Sequence, residues 1–171
     1  MSIPNDDPTR QLTIADPGDP ALPHVAVVGD TYTILVSGKH TGGRYCLIDM
    51  LVPDGGGPAP HRHDFEEAFT VLEGEIEVTF RGEARTVGAG RTVNIPANAP
   101  HAFKNMSGRP ARLLCLCVPA GQDEFFLQIG APAGSRTTPA PKLSENEQEA
   151  FIAKAEKLAP QYRTELLKPG V

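Results

Sequence analysis

Glycine and proline divide the middle of the chain into short segments. The 171 residues include 17 glycines and 17 prolines, and the stretches between them are rich in β-branched and apolar residues, as strands are. At least eight such stretches follow one another at fairly even spacing between residues 24 and 118. This composition favours short strands joined by turns over a helical bundle, and it indicates a β-sandwich or a β-barrel.

The first 23 residues do not continue this pattern. They contain five prolines and few apolar anchors, which excludes a helix and predicts a Pro-rich arm. Within the arm, residues 12–14 are a candidate for a short strand. The first residues also lack the charged and apolar regions of a signal peptide, and no apolar run is long enough to span a bilayer. We therefore expect neither secretion nor a membrane partner.

The C-terminal part is predicted to be helical instead. Residues 123–129 indicate a short helix that ends at Gly130, and residues 131–142 indicate a linker. A capping-box pattern then begins a run with apolar residues at helical spacing, which Pro160 divides into two helices and which residues 169–170 close. The sequence therefore predicts three parts: a Pro-rich arm (1–23), a barrel with a short helix near its end (24–130), and a linker with a helical tail (131–171).

Charge and cysteine content narrow the class of protein. The net charge is −5 and the basic residues form no block, so nucleic acid is not an expected partner. The three cysteines, Cys46, Cys115 and Cys117, are an odd number in a chain without a secretion signal, which indicates reduced thiols and a cytoplasmic protein. Cys115 and Cys117 share one face of a predicted strand, and we interpret them as buried small apolar residues rather than metal ligands.

Residues that can bind a metal ion concentrate between positions 55 and 105. His61 and His63 are two residues apart, so on a strand they point to the same side, about 7 Å apart. Glu67 follows at an even offset and reaches the same face if the extended chain continues, whereas His101 must arrive from a distant strand. Imidazoles with one carboxylate suit a transition metal and not calcium or magnesium.

The same stretch resembles the two sequence motifs of the cupin superfamily. The residues that meet the first motif without a mismatch are Gly55, His61, His63, Glu67 and Gly74. The residues that meet the second motif are Gly90, Pro96, His101 and Asn105. One position departs from it, because Asn98 stands where the family usually has glycine, and asparagine tolerates the left-handed backbone region better than most residues. The residues around the first motif are also similar to those of small bacterial quercetin-dioxygenase-like cupins.

The resemblance implies both a fold and a metal site. The fold is the all-β cupin double-stranded β-helix, a jelly-roll barrel, here with a Pro-rich N-terminal arm and a short C-terminal helical tail. The implied ligands of one divalent transition metal (Fe, Mn, Ni, Cu, Co or Zn) are His61, His63, Glu67 and His101. Asn105 is implied to be structural. Because many cupins pair through barrel faces or exchanged N-terminal strands, we expect a homodimer.

A mononuclear metal site of this kind predicts a metal-binding cupin with oxidoreductase, dioxygenase-like activity on a small organic molecule. The similarity to quercetinases implies that Glu67 is the candidate catalytic residue, as a ligand that can also accept a proton. Three alternatives stay open. One is isomerase or decarboxylase chemistry on the same metal, another is a binding or sensing module without turnover, and the third is a structural protein of storage type.

A second set of residues is predicted to line a substrate pocket beside the metal. These residues are Tyr45, Asp49, Phe65, Ile76, Val78, Phe80, Val93 and Phe103. Tyr45 and Asp49 face inward in only one register of the strand at residues 44–52, and the other register buries its apolar residues instead. Phe125 and Phe126 of the short helix are further candidates to cover the pocket, with core packing as the alternative role.

Overall fold

Two antiparallel β-sheets enclose the core of the structure, a computed structural model that describes residues 2–168. The strands are β1 (His24–Val27), β2 (Asp30–Val36), β3 (Cys46–Val52), β4 (His61–His63), β5 (Glu66–Glu73), β6 (Glu75–Phe80), β7 (Glu83–Gly88), β8 (Thr92–Ile95), β9 (His101–Lys104), β10 (Ala111–Val118), β11 (Ala131–Pro132) and β12 (Thr164–Leu166). The helices are α1 (Gly38–Thr41), α2 (Gln122–Ile129) and α3 (Glu145–Leu158), followed by a 3-10 turn at Ala159–Tyr162. None of these helices is long and apolar enough to cross a membrane.

The strand order confirms the predicted jelly-roll architecture. One sheet has seven strands in the order β11-β1-β2-β3-β10-β5-β8, and the other has five in the order β12-β4-β9-β6-β7. Alternation places Ile76 and Val78 of β6 in the core. The ring of Phe69 on β5 lies 5.5 Å from the ring of Phe103 on β9, so side chains from the two inner faces meet in one apolar core.

The structure contradicts the strand predicted in the arm and confirms the predicted short helix. No strand forms at residues 12–14, so that expectation is wrong: Leu12 and Ile14 are each 87% exposed, and neither covers an apolar surface that would fix a strand. The short helix is confirmed. It is α2, which begins one residue before the predicted start and ends against Gly130, whose backbone N–H donates to the carbonyl of Phe126.

Of the two helices predicted for the tail, only the first forms. Helix α3 begins with the expected capping box at Ser144 and Glu147, but no second helix follows Pro160. A 3-10 turn ends at Arg163, which has a left-handed φ of 56°, and the chain then pairs as β12 with β4. The second helix is wrong because the exposed edge of β4 offers backbone hydrogen bonds that an isolated final turn of helix lacks. Residues 169–170, predicted to close it, lie outside the described residues.

The linker at residues 131–142 is fixed to the outer face of the seven-stranded sheet. Its first residues pair with β1 as β11. Farther along, Thr31 Oγ1 donates to the carbonyl of Thr138 at 2.7 Å, and a guanidinium nitrogen of Arg136 lies 3.5 Å from Asp49 Oδ1. These contacts carry the chain to α3, whose Ala155 is buried in the core together with Ala159 of the 3-10 turn. The tail therefore packs on the barrel itself.

Candidate metal centre

The candidate ligands come from three strands in two sheets. We name the set His61, His63, Glu67 and His101 the His/Glu cluster. His61 and His63 lie on β4, and His61 is directly opposite His101 of the neighbouring strand β9. Glu67 lies on β5 of the other sheet. The chain crosses between the sheets at Asp64, so Glu67 meets the histidines from across the barrel. The expected continuous extended strand through all three positions is wrong, although the side chains converge.

The donor atoms of the His/Glu cluster lie close enough to share one ion. They are all within 4.8 Å of one another, and all four residues are buried. Nε2 of His63 is 3.4 Å from Oε2 of Glu67, and Nε2 of His101 is 3.2 Å from the same oxygen. The rings of His61 and His101 are 4.3 Å apart between centroids. The cluster is therefore a compact group with its donor atoms directed inward.

Backbone carbonyls determine which nitrogen of each histidine is free. The carbonyl partners of the Nδ1 atoms are Ala59 for His61 (2.9 Å), Phe65 for His63 (3.0 Å) and Ala99 for His101 (2.8 Å). A carbonyl can only accept, so Nδ1 carries the proton and Nε2 presents a lone pair. In the neutral rings, the Nε2 lone pairs of His63 and His101 face the acceptor oxygen of Glu67. A cation between these atoms stabilises that arrangement. The donor set therefore fits a divalent transition metal.

Burial and neighbouring side chains set the charge of two members of the cluster. It lowers the pKa of His61 to about 4, with the neighbouring His101 adding to the effect, so the His61 ring is neutral near pH 7, as a metal ligand must be. Burial raises the pKa of Glu67, but the close contacts with His101 and His63 outweigh it and hold that pKa well below its usual range. The site thus presents neutral imidazole and an ionised carboxylate.

Two cysteines lie behind the carboxylate of Glu67. Cys115 Sγ is 3.3 Å from Oε1 of Glu67, Cys117 Sγ is 4.0 Å from the same oxygen, and the two sulfur atoms are 3.8 Å apart. The hydrogen bond with Cys117 lowers the pKa of Cys115, but burial and the Glu67 charge raise it to about 12. Cys115 is therefore a thiol that donates to the carboxylate. Both cysteines are buried as predicted, but their contact with Glu67 was missed because it depends on the pairing of β10 with β5.

The turns around the cluster agree with the sequence motifs. Asn98 has a left-handed φ of 67°, as expected where the family usually has glycine, and its backbone N–H donates to the carbonyl of His63 at 2.7 Å. Asn105 is buried and uses its side chain to bond the carbonyls of Val52 and Arg109. Its backbone also exchanges hydrogen bonds with the glycine turn before β4. The two motifs thus hold each other in place.

A cavity of about 1230 Å³ borders His61 and Glu67. Its wall combines residues of the β1–β2 hairpin, of α2 and α3, and of the chain after β12. The tail therefore covers the end of the barrel at which the His/Glu cluster lies, a role that the sequence did not indicate. Phe125 and Phe126 do line the cavity, and the wall also includes Tyr32, Met50 and Phe151, which the sequence analysis did not select.

Most of the predicted pocket residues lie elsewhere. Of the eight, only Phe103 lines the cavity. Asp49 is on the outer face of β3, where its Oδ2 accepts from Arg112 at 2.8 Å, because the register buries Cys46, Ile48 and Met50 instead. Tyr45 precedes β3 and is 40% exposed. The remaining five pack in or against the core: Phe65, Ile76, Val78, Phe80 and Val93. Phe65 stacks on the ring of His63 with centroids 3.9 Å apart.

Comparisons with known proteins agree with this architecture. Residues 48–117 match the family model described as Cupin domain. The chain is 29% identical over 124 residues to quercetin 2,3-dioxygenase of Bacillus subtilis, a match that covers 72% of this chain and 36% of that protein. It is 32% identical over 81 residues to an uncharacterised protein of Methanocaldococcus jannaschii, which covers 47% of this chain and 65% of that protein.

Among solved structures, an RmlC-like cupin of Shewanella frigidimarina superposes with a TM-score of 0.53 at 18% identity. The match covers 61% of this chain and 89% of that chain. At this identity the likeness supports the fold and does not extend to the reaction.

Proposed function

Because the chain belongs to the cupin superfamily, we propose that the His/Glu cluster holds one divalent transition metal ion. The observation on which this proposal rests is the orientation of the three imidazoles. Each Nδ1 is committed to a backbone carbonyl, so each Nε2 is free, and two of them face the Glu67 carboxylate at 3.2–3.4 Å. Imidazole and carboxylate donors suit Fe, Mn, Ni, Cu, Co or Zn.

The reaction that we propose is a dioxygenase-like oxidation of a small organic molecule. It is supported by the match to a quercetin 2,3-dioxygenase and by the large cavity beside the cluster. A bound metal of this type acts as a Lewis acid and template and, if it is redox-active, supports chemistry with dioxygen. Apolar and aromatic residues in part of the cavity wall provide a surface against which such a molecule can pack. Glu67, whose Oε2 belongs to the cluster and which borders the cavity, is the candidate proton acceptor.

The hydrogen bond from Cys115 gives Glu67 a defined orientation. One oxygen, Oε1, accepts from the thiol at 3.3 Å, so the other oxygen is kept toward the histidines. A carboxylate held in this way can serve as a ligand without rotating out of the cluster.

Metal analysis and oxygen consumption test the proposal together. The purified full chain is expected to contain close to one equivalent of a transition metal by elemental analysis. Oxygen uptake is then followed against a panel of flavonols, catechols and diketones, with His101→Ala as the inactive variant and His40→Ala, at an exposed histidine, as the control. A filled Fe, Ni or Mn site without uptake for any substrate would contradict the dioxygenase activity and favour a binding module or a non-oxidative cupin reaction.

We also propose that the protein is a homodimer. The arm leaves Leu12 and Ile14 largely exposed, which supports a role for it in contact with a second copy. Light scattering checks the mass in solution, and a value near one 18.3 kDa chain would contradict the dimer.

A further inference from the structure

Helix α3 and the residues that precede it form one side of the cavity. The α3 residues Phe151 and Ala155 line the same cavity as His61 and Glu67. With α3 in this position, His61 and Glu67 are only 8% and 7% exposed, so solvent touches little of either side chain. A ligand of several rings therefore needs part of the surrounding wall to move before it can reach them.

The chain is anchored to the barrel before this helix. The backbone N–H of Ala133 donates to the carbonyl of His24 at 3.0 Å. The carbonyl of Thr138 accepts from the hydroxyl of Thr31 at 2.7 Å. Both contacts join the chain to β1 and β2 of the seven-stranded sheet. The chain is thus fixed as far as Thr138.

The chain is anchored again directly after the helix. The guanidinium of Arg163 donates to Oδ2 of Asp64 at 3.0 Å, and the backbone N–H of Asp64 donates to the carbonyl of Arg163 at 2.8 Å. The side-chain amide of Gln128 donates to the hydroxyl of Tyr162, whose ring lies 5.4 Å from that of Phe125 between centroids. These contacts hold the 3-10 turn against α2 and against the chain after β4.

Between the two anchors lie residues 139–158, which we name the cover segment. Within residues 2–168, no hydrogen bond or ion pair joins it to the barrel, and its side-chain hydrogen bonds stay inside the segment. The contacts that hold it against the core are those of Phe151, Ala155 and Leu158, and Ala155 is the one buried residue of α3. Non-directional apolar contacts of this kind separate at a lower free-energy cost than the paired strands of a barrel.

From these observations we propose that the cover segment is a lid. It moves away from the end of the barrel as one unit, with its hinges at the two anchors, and admits a small organic molecule to the cavity. When it returns, Phe151 and Ala155 close over the bound molecule. Segments of low local stability commonly serve as lids. The inference goes beyond the proposed function because it concerns the route into the cavity, and neither the motion nor its detection requires a metal.

Thiol labelling of the full chain tests the opening directly. Ala155→Cys places a thiol under the cover segment, and Ala111→Cys places one at a similarly buried alanine of β10. The native Cys46, Cys115 and Cys117 are buried in the barrel and report its unfolding. The Ala155→Cys thiol is expected to react with iodoacetamide about tenfold faster, or more, than the Ala111→Cys thiol and the native thiols. Equal rates for the two variants would overturn the lid.

Reagents of different size distinguish opening of the lid from entry through the cavity. Each labelling rate of Ala155→Cys is divided by the rate of a free thiol with the same reagent. Iodoacetamide and the bulky N-(1-pyrenyl)maleimide are expected to be slowed by the same factor, because a lid that has moved away exposes the thiol fully. Much stronger protection against the bulky reagent would show that small molecules pass a static segment, and it would overturn the inference.

A neutral aromatic probe tests the closing of the lid. N-phenyl-1-naphthylamine, whose binding is followed by its own fluorescence, is expected at saturation to slow the labelling of Ala155→Cys by about fivefold or more, because the lid then stays closed over it. No protection at any concentration up to the solubility of the probe would overturn the lid. Absence of metal in the elemental analysis would instead contradict the proposed function and leave the lid unaffected.

Amide hydrogen exchange repeats the comparison on the unmodified chain, where no substitution can affect folding. An isolated helix of 14 residues is marginal in water, so the amides of α3 exchange once the lid has left the barrel. They are expected to exchange about tenfold faster, or more, than the amides of β10. Equal exchange in the two elements would mean that α3 separates only when the barrel unfolds, which contradicts the lid.

Discussion

Cys115 donates a hydrogen bond to Glu67, with Sγ 3.3 Å from Oε1, while Oε2 of the same carboxylate faces His63 and His101. The two residues lie on paired strands, β10 and β5, of the seven-stranded sheet. This contact means that the orientation of a candidate ligand depends on a side chain outside the sequence motifs. It is the kind of outer contact that commonly tunes a metal site.

Replacing Cys115 is therefore expected to weaken metal binding. Cys115→Ala removes the donor to Oε1 and is expected to lower metal affinity by about tenfold or more, measured by competition with a chelator. Cys115→Ser keeps a donor at this position and is expected to bind metal more tightly than the alanine variant. Cys46→Ala is the control, because it also removes a buried thiol. Equal affinities for Cys115→Ala and the wild type would argue against the positioning role.

His63→Ala is expected to lose most of the bound metal. Removing one of four donors leaves a site that binds metal weakly. A ligand that binds only the folded state raises the stability of that state. Added metal should therefore raise the melting temperature of the wild type and leave that of the variant unchanged. Elemental analysis and melting curves with and without metal provide the measurement. His40→Ala should behave as the wild type, and an unchanged metal content in His63→Ala would exclude His63 as a ligand.

The turn between β1 and β2 contains a residue poorly suited to its backbone. Val28 and Gly29 have φ values of 53° and 90°, the left-handed pattern of a two-residue hairpin turn that favours Asn-Gly. A β-branched residue in that region is strained. Val28→Asn is expected to stabilise the protein by about 1 kcal/mol, which raises Tm by about 2–4 °C in a chain of this size. Val28→Ala should gain less, and a lower Tm for Val28→Asn would show that the turn is not strained.

The sequence predicted the His/Glu cluster because its evidence is local spacing. Histidines two residues apart on a strand share a face whatever the strand pairs with, so His61 and His63 were found by periodicity. Glu67 reached the cluster by a route that periodicity does not describe. The chain leaves one sheet after His63 and enters the other before Glu67. The resemblance to a known motif identified Glu67 and His101, although the continuous-strand argument for Glu67 was wrong.

The cavity could not be predicted in the same way. Its wall depends on which segments fold over the end of the barrel, and α3 and the chain after β12 come from more than 40 residues beyond His101. The pairing of β12 with β4 is a contact between segments about 100 residues apart, without a sequence signal of its own.

Asp30 is expected to make stability depend on pH. Its carboxylate is buried, and it accepts from the Tyr32 hydroxyl at 3.0 Å and from the Gly57 backbone N–H at 3.1 Å. Burial is the larger influence and, despite these bonds, raises the pKa of Asp30 from 3.8 to about 7. Between these two pH values the folded chain holds a proton that the unfolded chain has lost. Stability is therefore lost progressively as pH rises through this window, and it levels off above pH 7.

Asp30→Asn removes this titration and is expected to flatten the dependence. Each unit by which a pKa differs between folded and unfolded chain corresponds to about 1.4 kcal/mol, so the stability of Asp30→Asn relative to wild type should rise by about 1–4 kcal/mol from pH 5 to pH 8. Urea unfolding at both pH values measures it. Asp54→Asn makes the same change at an exposed aspartate and should keep the wild-type dependence. Parallel pH profiles for wild type and Asp30→Asn would mean that Asp30 is already ionised at pH 5, and that its two hydrogen bonds outweigh its burial.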